Sequence, residues 1–139
     1  QICIVTFHLE SVFKDSDIHL KEEQLGFIGE IINPNFNIVI MGDTNFTQKS
    51  SNIKLPSYMA DCFDKAYQPE MYKITFNGQT NTNVRNKSHS SRLDRIYFNE
   101  RKFNIDSFIL IGTKKNVPSD NLNWINPSDH YGVLSVLKM

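Results

Sequence analysis

A strand–helix–strand pattern at the start of the chain restricts its fold more than any other feature. Residues 2–9 are β-branched and apolar, which is typical of a buried strand. Apolar side chains then recur at helical spacing over 18–32, and Pro34 ends that helix because proline cannot continue it. Residues 36–41 form a second apolar strand. The pattern predicts a βαβ-like unit in a mixed α/β sheet.

The rest of the chain reads as short elements joined by polar loops. A long loop rich in Asn, Gly, Thr and Ser is expected over 77–91 and a polar loop over 47–52. A short helix is predicted over 58–67, and strands are predicted over 74–76, 93–98, 108–112 and 131–137. With 139 residues, no repeat and no linker, the chain is expected to form one domain spanning 1–139.

Composition indicates an ordinary soluble globular protein. The formal net charge is zero, so the molecule as a whole has no electrostatic preference for nucleic acid or anionic membrane. No apolar run reaches the roughly 18–20 residues of a membrane span, and no secretory signal is apparent. Cys3 and Cys62 lie in apolar surroundings, which favours reduced thiols and an intracellular reducing compartment, cytoplasm or nucleus.

An aspartate and an asparagine follow the second strand. Asp43 and Asn45 are two residues apart, so on a strand end both side chains would face one site. A carboxylate there can bind Mg²⁺ or hold an attacking water, and a neutral amide can hydrogen-bond a phosphate oxygen. The alternative is an Asx-turn that closes the strand, which both residue types also favour.

A histidine and a strand aspartate form the second candidate group. His130 follows Asp129 just before the last strand, and Asp94 lies between apolar neighbours in an earlier one. A buried carboxylate needs a partner, and His130 is the best candidate because a fixed tautomer would let it stabilise charge on phosphorus. The alternative for Asp94 is an edge-strand ion pair with Arg92 or Arg95.

Two further segments offer phosphate-binding groups. His8 and Ser11 follow the first strand and can both donate to a phosphate oxygen, although a polar strand end is an equal alternative. Residues 85–95 form the basic cluster of this neutral chain, with four Lys or Arg side chains and His89. Such a loop can contact a phosphodiester backbone, or it can be simply a solvated charged loop.

Together these segments match a known family. His8-Leu9-Glu10-Ser11, Gly42-Asp43-Thr44-Asn45, Arg92-Leu93-Asp94-Arg95-Ile96 and Ser128-Asp129-His130 occur in the order found in the endonuclease/exonuclease/phosphatase superfamily. Within it, the chain most resembles the 5′-tyrosyl-DNA phosphodiesterases. Thr75-Phe76-Asn77 through Asn81 is similar to the family's Thr-Trp-Asp…Asn stretch, with Phe76 in place of Trp and Asn77 in place of Asp.

The resemblance implies a role for each matching residue. Asp43 would activate the attacking water, Asn45 would orient the scissile phosphate, and His130, fixed by Asp94, would stabilise the transition state. Asp43 and Asp129 would contribute to a Mg²⁺ or Mn²⁺ site. Substrate-binding positions by the same resemblance are His8, Ser11, Phe76, Asn81 and Arg92. The implied activity is a Mg²⁺-dependent phosphodiesterase, a hydrolase of the DNA-repair type acting on DNA 5′ ends or 5′-tyrosyl adducts.

The resemblance also implies that part of the family domain is absent. The family's opening Thr-Trp-Asn strand and its Gln-Glu strand, whose Glu is the principal metal ligand, have no match here. The expected architecture is therefore the C-terminal half of a four-layer α/β/β/α DNase-like two-sheet sandwich. We expect the 139-residue chain alone to be inactive and to need the missing N-terminal half or a completing chain.

Three alternatives to this function remain open. The first is an abasic-site or general nuclease, and the second is a lipid or inositol phosphatase of the same superfamily. The third belongs to another class, a non-catalytic module that retains the phosphate-binding or nucleic-acid-binding face and has lost the metal ligand.

Overall fold

The computed structural model describes residues 1–11, 18–46, 55–119 and 123–139. The expected loop over 47–52 lies outside these ranges. The helices are α1 (Ile18–Ile31) and α2 (Cys62–Lys65), and a 3₁₀ turn spans Glu70–Tyr72. The strands are β1 (Ile2–His8), β2 (Asn37–Asp43), β3 (Met59–Asp61), β4 (Phe76–Asn77), β5 (Ser90–Ser91), β6 (Asp94–Asn99), β7 (Asn104–Ile111), β8 (Val117–Pro118), β9 (Trp124–Ile125) and β10 (Gly132–Lys138).

The main sheet is mixed, as the strand–helix–strand pattern predicts. Its strand order is β1-β2-β6-β3, in which β1 pairs in parallel with β2 and the other two pairings are antiparallel. A crossover through α1 joins the parallel pair, as parallel strands require. This register sets His8 beside Asp43 and Asp43 beside Asp94. Polar residues from three strands therefore meet at one edge of the sheet.

A second sheet packs against one face of the first. It consists of the antiparallel pair β7 and β10. The core between the sheets contains Val39, Ile96 and Phe98 from the main sheet and Phe108 from β7, together with Cys62 and Phe63 of α2. Successive side chains of one strand point to opposite faces, so only alternate residues of a main-sheet strand face the second sheet.

The opposite face of the main sheet is covered by α1. Ile38, Ile40 and Tyr97 form a buried cluster with Ile28 of the helix. Leu25, which is fully buried, joins Leu9 and Phe46 in an adjacent cluster near the carboxyl ends of β1 and β2. The described residues therefore form three layers, α1, the main sheet and the β7–β10 pair.

Apolar side chains remain exposed on several surfaces, including those of β1 and of the β7–β10 pair. The outer face of the β7–β10 pair presents Ile109 and Leu134, which lie opposite each other across the two strands. Ile2 and Ile4 of β1 are 52% and 63% exposed. Contiguous exposed apolar surface of this kind usually marks a region that packs against other polypeptide.

The structure corrects the predicted helix over 58–67. Residues 59–61 extend the main sheet as β3, and only Cys62–Lys65 are helical. Asp61 begins the short helix because its carboxylate accepts a hydrogen bond from the Phe63 amide. The two-residue strands β5, β8 and β9 carry too few residues for alternation to reveal them.

Candidate active site

Asp43, Asp94 and His130 converge at the carboxyl end of β2. One ligand atom from each of these side chains lies within 4.8 Å of the other two. Their sequence separation is large, and the register of β2 with β6 brings the two carboxylates together. His130 lies in the loop before β10 and forms an isolated β-bridge with Phe76. All three side chains are half-buried, so they are shielded but open to a ligand.

Asp94 and His130 form a hydrogen bond. Nδ1 of His130 lies 2.8 Å from Oδ2 of Asp94. A carboxylate accepts, so Nδ1 carries the proton and Nε2 is left for another partner. This hydrogen bond raises the pKa of His130, and burial opposes the rise. The alternative partners for Asp94 are used elsewhere, because Arg92 and Arg95 both approach Asp61.

Asp43 is held between polar groups from three segments. Its Oδ1 accepts a 2.7 Å hydrogen bond from the Asn45 amide, and its Oδ2 lies 3.6 Å from Nε2 of His8. Burial raises the pKa of Asp43, and the neighbouring Asp94 carboxylate acts in the same direction. A carboxylate with a raised pKa is a stronger base toward a bound water.

Asn45 adopts the left-handed backbone conformation, with φ of 49°. Asparagine tolerates this region better than most residues. The loop is fixed on both sides, because the Asn45 side-chain Nδ2 donates to the Leu9 carbonyl at 3.0 Å and Lys21 Nζ donates to the Asn45 carbonyl at 3.0 Å. The bond from the Asn45 backbone amide to the Asp43 carboxylate forms the Asx-turn anticipated as an alternative. Asn45 also lines the cavity beside the site, so the two interpretations of this motif are compatible.

Two buried threonines join the segments beneath the site. The hydroxyl of Thr75 accepts hydrogen bonds from the amides of both Leu93 and Asp94, each at 3.0 Å. The Thr75 carbonyl accepts a 2.7 Å bond from the Tyr131 amide. Thr44 donates its amide and its hydroxyl to the Leu93 carbonyl. The start of β6 is thus tied to β2 and to the loop that carries His130.

An open cavity of about 470 Å³ adjoins the three converging residues. Its lining includes the polar residues Asn45, Asp129 and His130 and the apolar residues Phe76 and Leu93. His89 and Asn86 complete the lining. From the sequence, His89 was only one member of a basic loop that can contact a phosphodiester backbone. The structure places its ring against Phe76.

Three residues expected to bind substrate have other contacts in the structure. Arg92 is 4% exposed and forms ion pairs with Asp61 and Asp64, so its guanidinium is an internal charge and not a ligand of the cavity. Asn81 is 1% exposed, and its amide donates to the carbonyls of Ser128 and Asp129. These bonds give Asn81 the role of positioning the loop before His130.

The third of these residues, Ser11, is exposed next to Glu10, whose carboxylate accepts from the Ser11 amide. His8 is also largely exposed and lies beside Asp43. Asp129 lines the cavity but is not part of the three-residue group described above. The second carboxylate of that group is Asp94.

The residues present suit a hard divalent cation. Two carboxylates within reach of one another match the oxygen ligands of Mg²⁺, which usually takes few protein ligands and keeps several waters. Mn²⁺ accepts the same set and tolerates imidazole better. When bound, such an ion polarises a phosphoryl oxygen and lowers the pKa of a bound water.

Comparison with solved structures identifies the architecture. TDP2 from D. rerio, solved with a single-strand DNA product, superposes with a TM-score of 0.80 at 23% identity, over 98% of this chain and 56% of that one. Truncated TDP2 from Caenorhabditis elegans gives 0.74 at 25% identity, over 95% and 52%. The chain has the DNase-like fold of the endonuclease/exonuclease/phosphatase family.

The fold is also similar to that of a phosphatase. A mannosyl-6-phosphatase from Bacteroides thetaiotaomicron superposes with a TM-score of 0.64 at 19% identity, over 98% of this chain and 51% of that one. No protein-family model and no curated protein sequence matches the chain. The chain spans about half the length of the family structures it matches. The resemblance drawn from the sequence motifs is confirmed at the level of the fold.

Within the described residues, no helix is both long and apolar enough to cross a membrane. The longest helix among them, α1, has 14 residues, whereas a span needs about 20. Both cysteines, Cys3 and Cys62, are free.

Proposed function

We propose that residues 1–139 form the part of a Mg²⁺- or Mn²⁺-dependent phosphodiesterase domain that carries its water-activating and charge-stabilising residues. The observation that carries the proposal is the convergence of Asp43, Asp94 and His130 within 4.8 Å. The likeness to phosphodiesterase and phosphatase structures supports a hydrolase of this family in general.

Each residue has a task in the proposed hydrolysis. Asp43 accepts a proton from the attacking water, a task to which its raised pKa is suited. His130, protonated on both ring nitrogens as its raised pKa favours, donates from Nε2 to a phosphoryl oxygen as negative charge develops, while Asp94 accepts from its Nδ1 and orients the ring. Asn45 orients the phosphate through its amide without adding negative charge. Asp43 and Asp94 would hold the cation, and Asp129, which lines the adjoining cavity, would support it.

We propose DNA 5′ ends, including 5′-tyrosyl adducts, as the substrate. Support comes from the motif set shared with that subfamily and from the TDP2 structure solved with a single-strand DNA product. The mannosyl-6-phosphatase likeness keeps a phosphatase on a non-nucleic substrate as the second candidate. The free cysteines agree with a reducing compartment, cytoplasm or nucleus.

We also propose that activity requires the remaining part of the family domain, supplied by further polypeptide. The exposed apolar residues of β1 and of the β7–β10 outer face support this, because a completed sandwich would cover them. On this view residues 1–139 are one part of a single endonuclease/exonuclease/phosphatase domain.

A chimera tests the proposed function. Residues 1–139 would replace the matching 56% of the D. rerio TDP2 chain, and the product would be assayed with Mg²⁺ on a 5′-phosphotyrosyl oligonucleotide, an abasic duplex and an inositol phosphate. We expect turnover of the first substrate, loss of at least about 100-fold in kcat on Asp43→Asn, and no turnover by the 139-residue chain alone. Turnover that is unaffected by Asp43→Asn, or none on any substrate, would overturn the proposal.

A further inference from the structure

One face of α1 contacts both segments that lead into the site, although the helix has no part in the proposed hydrolysis. Lys21 Nζ donates to the Asn45 carbonyl at 3.0 Å. Three residues later, Gln24 Oε1 accepts a 3.0 Å hydrogen bond from the Glu10 amide. Residues three apart on a helix are neighbours on its surface. The same face of α1 therefore holds the segment after β1 and the segment after β2 at once.

A buried apolar contact lies beside these two hydrogen bonds. Leu25 of α1 is fully buried and clusters with Leu9 and Phe46, which belong to the same two segments. The segments are also bonded to each other, because Asn45 Nδ2 donates to the Leu9 carbonyl at 3.0 Å and the Leu9 amide donates to the Asp43 carbonyl at 2.9 Å. The helix and the two segments thus form one connected unit.

Lys21 lies where a lysine is unfavourable for the helix itself. It belongs to the first turn of α1 and is only 6% exposed. The helix dipole disfavours a positive charge at the N-terminus, and a buried ammonium loses its hydration. Residues that break a local rule in this way are typical of functional sites. The hydrogen bond to the Asn45 carbonyl gives Lys21 a reason to be there.

Asn45 is the site residue that depends most on these contacts. Asp43 is the last residue of β2, which pairs with β1 on one side and β6 on the other, so the sheet itself fixes its position. Asn45 lies beyond the strand end with φ of 49°, a conformation that surrounding contacts must maintain. Lys21 holds its carbonyl, and Gln24 holds the segment whose Leu9 carbonyl accepts from the Asn45 side chain.

We propose that Lys21 and Gln24 are positioning residues for Asn45, through which α1 determines how the site holds a phosphate. The inference rests on the proposed function, since it takes Asn45 to orient the phosphate. It predicts that loss of either α1 residue weakens phosphate binding more than cation binding. The reason is that Asp43 and Asp94, the proposed cation ligands, lie on paired strands and do not depend on α1 in the same way.

Ligand titration of the 139-residue chain and its variants tests this inference. The dissociation constants of methyl phosphate, with Mg²⁺ present, and of Mn²⁺ alone would be measured by NMR. Lys21→Met removes the donor and keeps an unbranched apolar side chain. In this variant we expect the affinity for methyl phosphate to fall about fivefold or more, as expected for the loss of one orienting hydrogen bond, and the affinity for Mn²⁺ to change by less than about twofold.

Three further variants separate positioning from folding. Lys21→Arg keeps a cationic donor and should retain at least about half of the parent affinity for methyl phosphate. Gln24→Leu removes the acceptor of the Glu10 amide and should weaken methyl phosphate more than Mn²⁺, through a separate contact. Lys114→Met is the matched control, because Lys114 is exposed before β8, and it should change neither affinity. If either Lys21→Met or Gln24→Leu does not fold, as judged by circular dichroism, the other decides.

The results that would overturn the inference are distinguishable from failure of the proposed function. Unchanged affinity for methyl phosphate, equal fold losses for methyl phosphate and Mn²⁺, or a loss that Lys21→Arg shares in full would overturn the positioning role and leave the phosphate site standing. If the parent chain binds no methyl phosphate, the proposed phosphate site fails and the inference fails with it.

Discussion

Gly42 lies so close to the carbonyl of Phe7 that no side chain fits between them. A Cβ at position 42 would be 1.9 Å from the Phe7 carbonyl oxygen. The two residues are register partners in the parallel pairing of β1 with β2, one step before His8 and Asp43. The glycine of the Gly-Asp-Thr-Asn motif thus allows the strand approach that delivers Asp43 to the site.

Gly42→Ala is expected to separate β1 from β2 and to displace Asp43. Overpacking of this kind costs on the order of 1–3 kcal/mol of unfolding free energy. Urea denaturation would measure the loss. Gly112→Ala separates overpacking from backbone strain, because a Cβ there meets only Pro127 at 3.8 Å and its cost comes from the φ of 73°. A Gly42→Ala variant as stable as the parent chain would contradict the close approach.

Asp94→Asn should lower the pKa of His130. The Asp94 hydrogen bond is the largest cause of the raised value, so a neutral amide removes both the bond to a carboxylate and its charge. Because the folded-state pKa of His130 lies above its ordinary value of about 6.5, the pair stabilises the fold fully below that pH. This contribution is lost as pH rises through the raised pKa.

NMR titration of the His130 ring protons measures the change in its pKa. In the parent chain, the His130 resonances should titrate above the ordinary histidine value of about 6.5. In Asp94→Asn, the midpoint of His130 should fall. If the His130 midpoint is the same in both proteins, the hydrogen bond seen here does not control this group.

Thr75→Val should destabilise the start of β6, which lies beneath the site. The Thr75 hydroxyl accepts from two amides at the start of β6, and valine has the same shape but cannot accept. Two buried amides would then lack a hydrogen-bond partner, and each would lower the free energy of unfolding by about 1–3 kcal/mol. Urea denaturation and the hydrogen-exchange rates of the Leu93 and Asp94 amides would report the change. Thr113→Val, at an exposed position, should leave both unaffected.

The two cysteines should differ sharply in reactivity. Cys62 is fully buried in the core between the sheets, and burial raises its pKa to about 12. At pH 8 its thiolate is therefore scarcely populated and also inaccessible, whereas Cys3 on β1 is only partly buried. Mass spectrometry after iodoacetamide treatment should show alkylation of Cys3 alone in the native chain and of both in denaturant. Alkylation of Cys62 at the same rate as Cys3 would contradict the burial of Cys62 in the core.

The strand–helix–strand unit was predictable because its signals are long and periodic. Residues 36–41 form a largely apolar run typical of a strand, and Leu25, Ile28 and Ile32 recur at helical spacing, so the order of these elements follows from the sequence. The segment 59–61 was predicted as helix because three residues are too few for a period. Its pairing with β6 decides the conformation, and this tertiary contact leaves no trace in the local sequence.

The site was partly predictable for a different reason. Asp43 and His130 lie at strand ends. A buried carboxylate such as Asp94 needs a partner, and this requirement predicted its hydrogen bond with His130. The ion pair of Arg92 could not be predicted in this way, because its partner Asp61 lies in the strand that was predicted as helix. His89 and Lys21 reach the site through loop and helix packing, which depends on distances that spacing does not encode.

The central claim is that Asp43, Asp94 and His130 form one cation and phosphate site. Paramagnetic broadening by substoichiometric Mn²⁺ tests it most directly, because it reports the ion's position without requiring turnover. We expect the resonances of these three residues and of Asn45 to broaden first, and Asp43→Asn to abolish the effect. Broadening centred elsewhere in the chain, or identical broadening in Asp43→Asn, would contradict the account.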